Sequence, residues 1–108
     1  MFWYKTNNKY FSIYKQNGEQ TFFSEEVENV LGYEPSELIG KSAYEFFHPV
    51  DLVRISKSHF EIANENSITT VVYRIRHKNG NYVWVRSFSQ NTGENLISMT
   101  KKLNQIEI

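Results

Sequence analysis

Val30-Leu31-Gly32-Tyr33-Glu34-Pro35-Ser36-Glu37-Leu38-Ile39-Gly40-Lys41 and Tyr73-Arg74-Ile75-Arg76-His77-Lys78-Asn79-Gly80-Asn81-Tyr82-Val83-Trp84-Val85 decide the fold. In the first, a helix runs into a glycine, a Pro-Ser pair opens a second short helix, and another glycine closes it. In the second, side chains alternate with period two on either side of Asn79-Gly80, the turn pair of a tight hairpin. Between them, Pro49 to Asn64 is predicted as one amphipathic helix. Leu52, Val53, Ile55, His59, Phe60, Ile62 and Ala63 fall on its apolar side, and Arg54, Lys57, Glu61 and Glu65 on the other.

Working outward, Tyr10 to Tyr14 and Gln20 to Phe23 flank Asn17-Gly18 and read as a first hairpin. Ser24 is the expected N-cap of the helix carrying Val27, Val30 and Leu31, and Ser42 the expected cap of a turn carrying Tyr44, Phe46 and Phe47. His48-Pro49 restarts the chain, with His48 expected as a cap. From Ile68, Val71, Tyr73 and Ile75 share one face and Val72, Arg74 and Arg76 the other. Tyr82 to Gln90 returns, and Leu96 to Thr100 gives a third strand. The expectation is α+β: a five-stranded antiparallel sheet with a helical cap on one face.

The chain has 108 residues, which suit one core and one domain, and its 16% aromatic content is high. Twelve basic residues balance twelve acidic ones, so no whole-domain field draws a polyanion, and nucleic acid is not an expected partner. The densest basic stretch, Arg74, Arg76, His77 and Lys78, reads as a solvated sheet face with His77 in solvent. There is no cysteine, which excludes disulfides, thiolate metal sites, thiol nucleophiles and sulfur-linked chromophores. No apolar run approaches the roughly 20 residues of a membrane span, so a cytoplasmic setting without membrane contact is expected. Nucleophile elbows, triads and Gly-rich phosphate loops are missing from the sequence, so no catalytic residue and no metal ligand is assigned and the domain is not expected to be an enzyme.

The Gly32-Tyr33 pair, Glu37-Leu38-Ile39-Gly40-Lys41, His48-Pro49-Val50-Asp51, and Tyr73-Arg74 followed by Lys78-Asn79-Gly80 and Trp84 resemble, in order and spacing, the landmarks of the PAS domain family. Gly40 to His48 and Lys57-Ser58-His59 are most similar to the second PAS repeat of helix-loop-helix PAS transcription factors such as the hypoxia-inducible factors. The short turn at Asn91 to Asn95 is nearer to microbial sensors. The resemblance implies the PAS fold over residues 10–100, an aromatic leader at 1–9 and the start of a connector at 101–108. It further implies a pocket between sheet and long helix, and dimerisation through the open sheet face or flanking helices. Flavin adduct chemistry requires the absent cysteine. The axial histidine of haem-binding PAS sensors falls where Ile55 stands, one turn before His59, so haem is not expected and no cofactor is assigned. The Asp-Ile-Thr triplet that commonly closes such domains is here Ser98-Met99-Thr100.

His59 sits within an apolar helix stripe, where it reads as a core histidine bonded to a neighbour, as a ligand contact, or as a metal or haem ligand. The residues expected around a ligand are His59, Ser58, Ile55, Ile62, Tyr44, Phe47, Thr70, Tyr73, Ile75, Val85 and Ser87. The leading expectation is a sensor domain, part of a two-component sensor histidine kinase or related regulator, that takes a small apolar ligand and alters a homodimer. The alternative is a ligand-free module that pairs PAS domains in a transcriptional regulator, its centre filled by Phe22, Phe47, Phe60 and Tyr73. Phe2, Trp3 and Tyr4 are expected to cover the open sheet face in cis or to meet a partner.

Overall fold

The computed structural model describes residues 8–61 and 67–104, apart from the side chains of residues 59–61. The expectations placed on the side chains of His59 and Phe60, on Ile62 and on the leader Met1 to Tyr4 lie outside what is described.

Five strands form one antiparallel sheet in the order β2-β1-β5-β4-β3. They are β1 (Lys9–Lys15), β2 (Gln20–Phe23), β3 (Ile68–Arg76), β4 (Tyr82–Asn91) and β5 (Asn95–Lys102). Strand β1 thus begins at Lys9 and β5 reaches Lys102, beyond both ends of the 10–100 span. The helices α1 (Val27–Leu31) and α2 (Pro35–Leu38) precede two 3-10 turns, Ala43–Glu45 and Pro49–Asp51.

Gly32 ends α1 at φ 80°, its N–H donating to the Glu28 carbonyl. A side chain there would meet His77 Cε1 at 2.6 Å, so the glycine both stops the helix and admits the imidazole. His77 is therefore half-buried against α1 rather than in solvent, and its Nδ1 accepts from the Asn79 N–H at 3.0 Å. Ser42 caps its turn by accepting from the Tyr44 N–H, and His48 Nδ1 accepts from the Val50 N–H. Ser24 does otherwise. Its Oγ accepts from the Phe11 N–H at 2.9 Å, its own N–H donates to the Phe11 carbonyl, and α1 starts later with Glu26 as an N-cap that makes no side-chain bond. The hydroxyl completes the β1–β2 ladder where pairing would otherwise stop.

The expected helix from Pro49 to Asn64 is wound three ways over its described part. The 3-10 turn leads into α3 (Leu52–Ile55), and Ser56–Glu61 is π-helical. Val53, expected on the apolar side, is exposed while Ile55 is buried: both lie within α3, where two residues at about 100° each set them at opposite edges of the stripe, and only the Ile55 edge faces the core.

The cap chain is stitched to both sheet edges. Beside β2, Gln20 N–H donates to the Lys41 carbonyl and Gly40 N–H to the Gln20 carbonyl. Beside β3, His48 N–H donates to the Arg74 carbonyl and Arg76 N–H to the Phe46 carbonyl, with Phe47 bridging Ile75.

Candidate functional site

Strand alternation gives the sheet two unlike faces. The inner one, under the cap, carries Phe23, Val85 and Leu96, but also a set of buried hydroxyls. Tyr73 Oη lies 2.6 Å from Ser87 Oγ, which lies 2.7 Å from Thr100 Oγ1. Ser89 and Ser98 pair at 2.6 Å, and Ser12 donates to Tyr14 Oη at 3.0 Å. Tyr10 is 0% exposed, and its hydroxyl lies beside Thr100 without a hydrogen bond of ordinary geometry. Burial raises the pKa of the Tyr10, Tyr14 and Tyr73 phenols above the ordinary tyrosine value, so all three are neutral donors and acceptors.

The outer face is apolar. Phe11, Met99 and Phe88 form one row across β1, β5 and β4, and Phe22, Ile13 and Ile97 a second across β2, β1 and β5. Phe11 is 52% exposed, Phe22 45%, Ile97 43% and Phe88 38%, and a groove of about 180 Å³ runs over Phe11, Phe88, Ile97, Met99 and Ile68. Monomeric proteins rarely leave such a patch wet. A third row, Lys9, Lys101 and Arg86, borders it. The strands hold seven of the twelve basic residues, namely Lys9, Lys15, Arg74, Arg76, Arg86, Lys101 and Lys102, and no Asp or Glu. A chain that is neutral overall is thus strongly polarised.

The cap meets the sheet edge at Asp51, which is 1% exposed. Its carboxylate accepts from the Arg74 backbone N–H at 2.8 Å, from Arg74 Nε at 3.0 Å, and from Arg74 Nη2 and Arg54 Nη2 at 2.8 Å each. These donors, Arg74 foremost, hold its pKa down to about 2 against the opposing effect of burial. Arg74 also stacks over Trp84 and Arg76 over Phe46, while Lys78 pairs with Glu37 at 2.7 Å. The basic stretch expected to be merely solvated fastens the cap to β3, because an edge strand flanked by cap backbone places these cations beside cap acids and rings.

Of the residues expected around a ligand, Phe47, Ile55, Tyr73, Ile75 and Val85 come together in one packed core cluster, with half-buried Tyr44 against it and Ser87 at its polar margin. Tyr44, Phe47 and Tyr73 contact edge to face, with ring centroids 5.7 and 5.3 Å apart. Ser58 is half-buried in the π-wound segment. Thr70 stands apart: it is exposed on the outer face opposite Phe88, since it differs in strand parity from Tyr73 and Ile75. Phe22, expected inside, is outside for the same reason. A groove of about 320 Å³ lies instead on the cap surface, lined by Tyr44, Leu52, Val53, Ser56 and Lys57, and among the described residues Tyr44 alone of the expected set borders it. Sequence reasoning passed over Tyr10, Ser12, Ser89, Ser98 and Thr100, whose shared parity with Tyr14, Ser87 and Leu96 was the available signal. Among the described residues no three His, Asp or Glu side chains converge as a metal ion would require, and no helix is long and apolar enough to cross a membrane.

A five-stranded sheet with short helices laced over one face, and no described element over the other, defines a PAS-type module. The chain belongs to the PAS family: the model described as PAS fold matches residues 20–96. The Drosophila melanogaster homolog of the aryl hydrocarbon receptor nuclear translocator is 36% identical over 81 residues, 74% of this chain and 13% of that protein. Hypoxia-inducible factor 1-alpha of Gallus gallus is 37% identical over 67 residues, 62% of this chain and 8% of that protein. The chain therefore spans only a small part of these relatives. Among solved structures, the Drosophila melanogaster Cycle PAS-B domain with bound ethylene glycol superposes with a TM-score of 0.74 at 28% identity, covering 87% of this chain and 97% of that one. A tryptophan-to-alanine variant of the same domain with bound glycerol gives 0.78 at 27%, covering 87% and 99%. These relatives are helix-loop-helix PAS transcription factors, which corrects the expectation of a two-component histidine kinase.

Proposed function

We propose that this chain is an intracellular protein-interaction module of a transcriptional regulator that pairs with another PAS domain through the outer face of its sheet. The observation that carries the reading is the continuous apolar face of Phe11, Phe22, Phe88 and Ile97, left open while the cap chain occupies positions along both sheet edges. With β2 and the Arg74–Arg76 half of β3 already paired to cap backbone, face-to-face packing is favoured over strand addition at an edge. The test is an NMR titration with the PAS domains of the Drosophila nuclear-translocator homolog and of hypoxia-inducible factor 1-alpha as probes. Binding should perturb the amides around Phe11, Phe88, Ile97 and Met99 and vanish in Ile97→Asp. Binding that moves only cap amides, or no binding to either probe by the folded domain, would overturn the reading.

A second function is favoured by one observation, the hydroxyl of fully buried Tyr10, which has only the Thr100 end of the hydroxyl ladder beside it and no hydrogen bond of ordinary geometry. We infer a small hydroxylic ligand between sheet and long helix, with Tyr73 and Ser87 as polar contacts and Phe47, Ile55, Ile75 and Val85 as walls. The Cycle domain binds glycerol and ethylene glycol, which are molecules of this kind. Saturation transfer to ethylene glycol should be seen with the wild type and lost in Tyr10→Phe; equal transfer in both would remove Tyr10 from the site.

A further inference from the structure

We propose that the groove on the cap surface binds a small amphipathic monocarboxylate, at a site separate from both the outer sheet face and the hydroxyl ladder. Leu52, Val53 and the Tyr44 ring form its apolar walls, and Ser56 and Lys57 its polar end. Val53 is 66% exposed, on the edge of α3 turned away from the core, so an apolar side chain lines a concavity instead of standing singly on a convex surface. The winding of the helix changes from α to π at Ser56, within the groove. Such single-turn changes occur mostly where a helix serves a function.

Charge and size select the ligand. Arg54, the other cation of α3, is engaged elsewhere, donating to the Val72 carbonyl and to Asp51. Asp51 in turn is committed to Arg74, and Glu45 to the Ser42 N–H. Lys57 enters no ion pair among the described residues, which leaves an exposed ammonium beside the Ser56 hydroxyl. One ammonium suits a single negative charge, whereas a phosphate dianion calls for a second cation or a nest of backbone N–H groups. The volume of about 320 Å³ lies at the lower end of the roughly 300 to 1,000 Å³ of small-molecule sites. The helical wall runs only from Leu52 to Lys57, shorter than the i to i+7 span over which a partner helix anchors, so a small molecule fits better than a peptide.

Octanoate is the probe, with octanamide as its neutral counterpart. In an NMR titration of the folded protein, octanoate should move the amides of Leu52, Val53, Ser56 and Lys57 and leave those of Tyr10, Ser87, Phe88 and Ile97 in place. Lys57→Gln should weaken its binding about threefold to fivefold, and Lys57→Arg should keep it. Octanamide should bind the wild type as weakly as octanoate binds Lys57→Gln. Val53→Asp, which removes an apolar wall and adds a like charge, should weaken octanoate at least about tenfold. Both positions are exposed, and circular dichroism checks the fold; Val53→Ser serves should the aspartate disturb it.

Equal binding of octanoate and octanamide, unmoved by Lys57→Gln, would overturn the carboxylate. Shifts centred on Tyr10, Tyr73 and Ser87 would carry the ligand to the inner face and overturn the groove. No shift of the cap amides at millimolar octanoate would overturn the site outright. None of these results touches the face-pairing or hydroxylic-ligand readings, which are tested separately through Ile97→Asp and Tyr10→Phe.

Discussion

The two faces of the sheet reverse the usual allocation of side chains. In the β4–β5 hairpin, Ser87, Ser89, Ser98 and Thr100 are buried under the cap, whereas Phe88, Ile97 and Met99 point away from it. A one-sided sheet in a monomer ordinarily does the opposite, with apolar residues in and polar ones out. The inner face tolerates these hydroxyls because they bond in pairs and chains, so Tyr73, Ser87, Ser89, Ser98 and Thr100 lose water but keep a partner. The outer face tolerates its rings only if they are later covered. One face is thus complete among the described residues, and the other is, on the proposed reading, completed by a partner.

The junction between cap and sheet edge is the strongest place to break this division. Asp51→Ala removes the acceptor for four hydrogen bonds and leaves Arg74 against cap backbone without its counter-charge. The expected loss is about 3 kcal/mol, on the order of 12 to 20 °C in Tm by thermal melting. Because the folded pKa of Asp51 lies at about 2, below its unfolded value near 3.9, its contribution is full above the unfolded value and disappears as pH falls through the folded one. Wild-type stability should therefore fall between about pH 4 and pH 2 with a slope that Asp51→Asn lacks. A loss under about 1 kcal/mol would mean that the backbone stitching alone holds the cap.

Within the inner face the expected effect is smaller. Tyr73→Phe keeps the ring against Phe47 but strips the hydroxyl bonded to Ser87. It should cost about 1 to 2 kcal/mol in chemical denaturation, because a buried hydroxyl of the ladder loses a partner. No change would show that Ser87 and Thr100 satisfy each other without it.

How much of this was legible in the sequence differs by level. Asn17-Gly18, Gly32, Ser42 and Asn79-Gly80 are local signals with local causes, and the elements they punctuate are where they were expected. Five antiparallel strands under a helical cap were expected, but their order in the sheet was not. Nor was the inward face, because Tyr10-Phe11-Ser12-Ile13-Tyr14 places bulky residues at both parities, and Phe22 was accordingly read as interior. Thr70 is different: its parity against Tyr73 was visible, and only the wish for a polar pocket residue set it inside. Asp51 was quoted as a landmark, yet its role was hidden because Arg74 lies 23 positions away and meets it only when cap and edge strand are brought together.

The smallest expected effect separates the faces most clearly. Phe88→Ser and Ile97→Ser add a hydroxyl in place of a large apolar group, a change that in a core would cost several kcal/mol. On the outer face both side chains are more than a third exposed, so in the monomer each should cost only about 1 kcal/mol while association through that face is lost. Denaturation at micromolar concentration reads the first quantity and ultracentrifugation with a partner the second. Unchanged association would deny the face its role. A large loss of monomer stability would mean that the ring or the isoleucine is covered within the chain itself, which would assign the aromatic leader to its own sheet rather than to a partner.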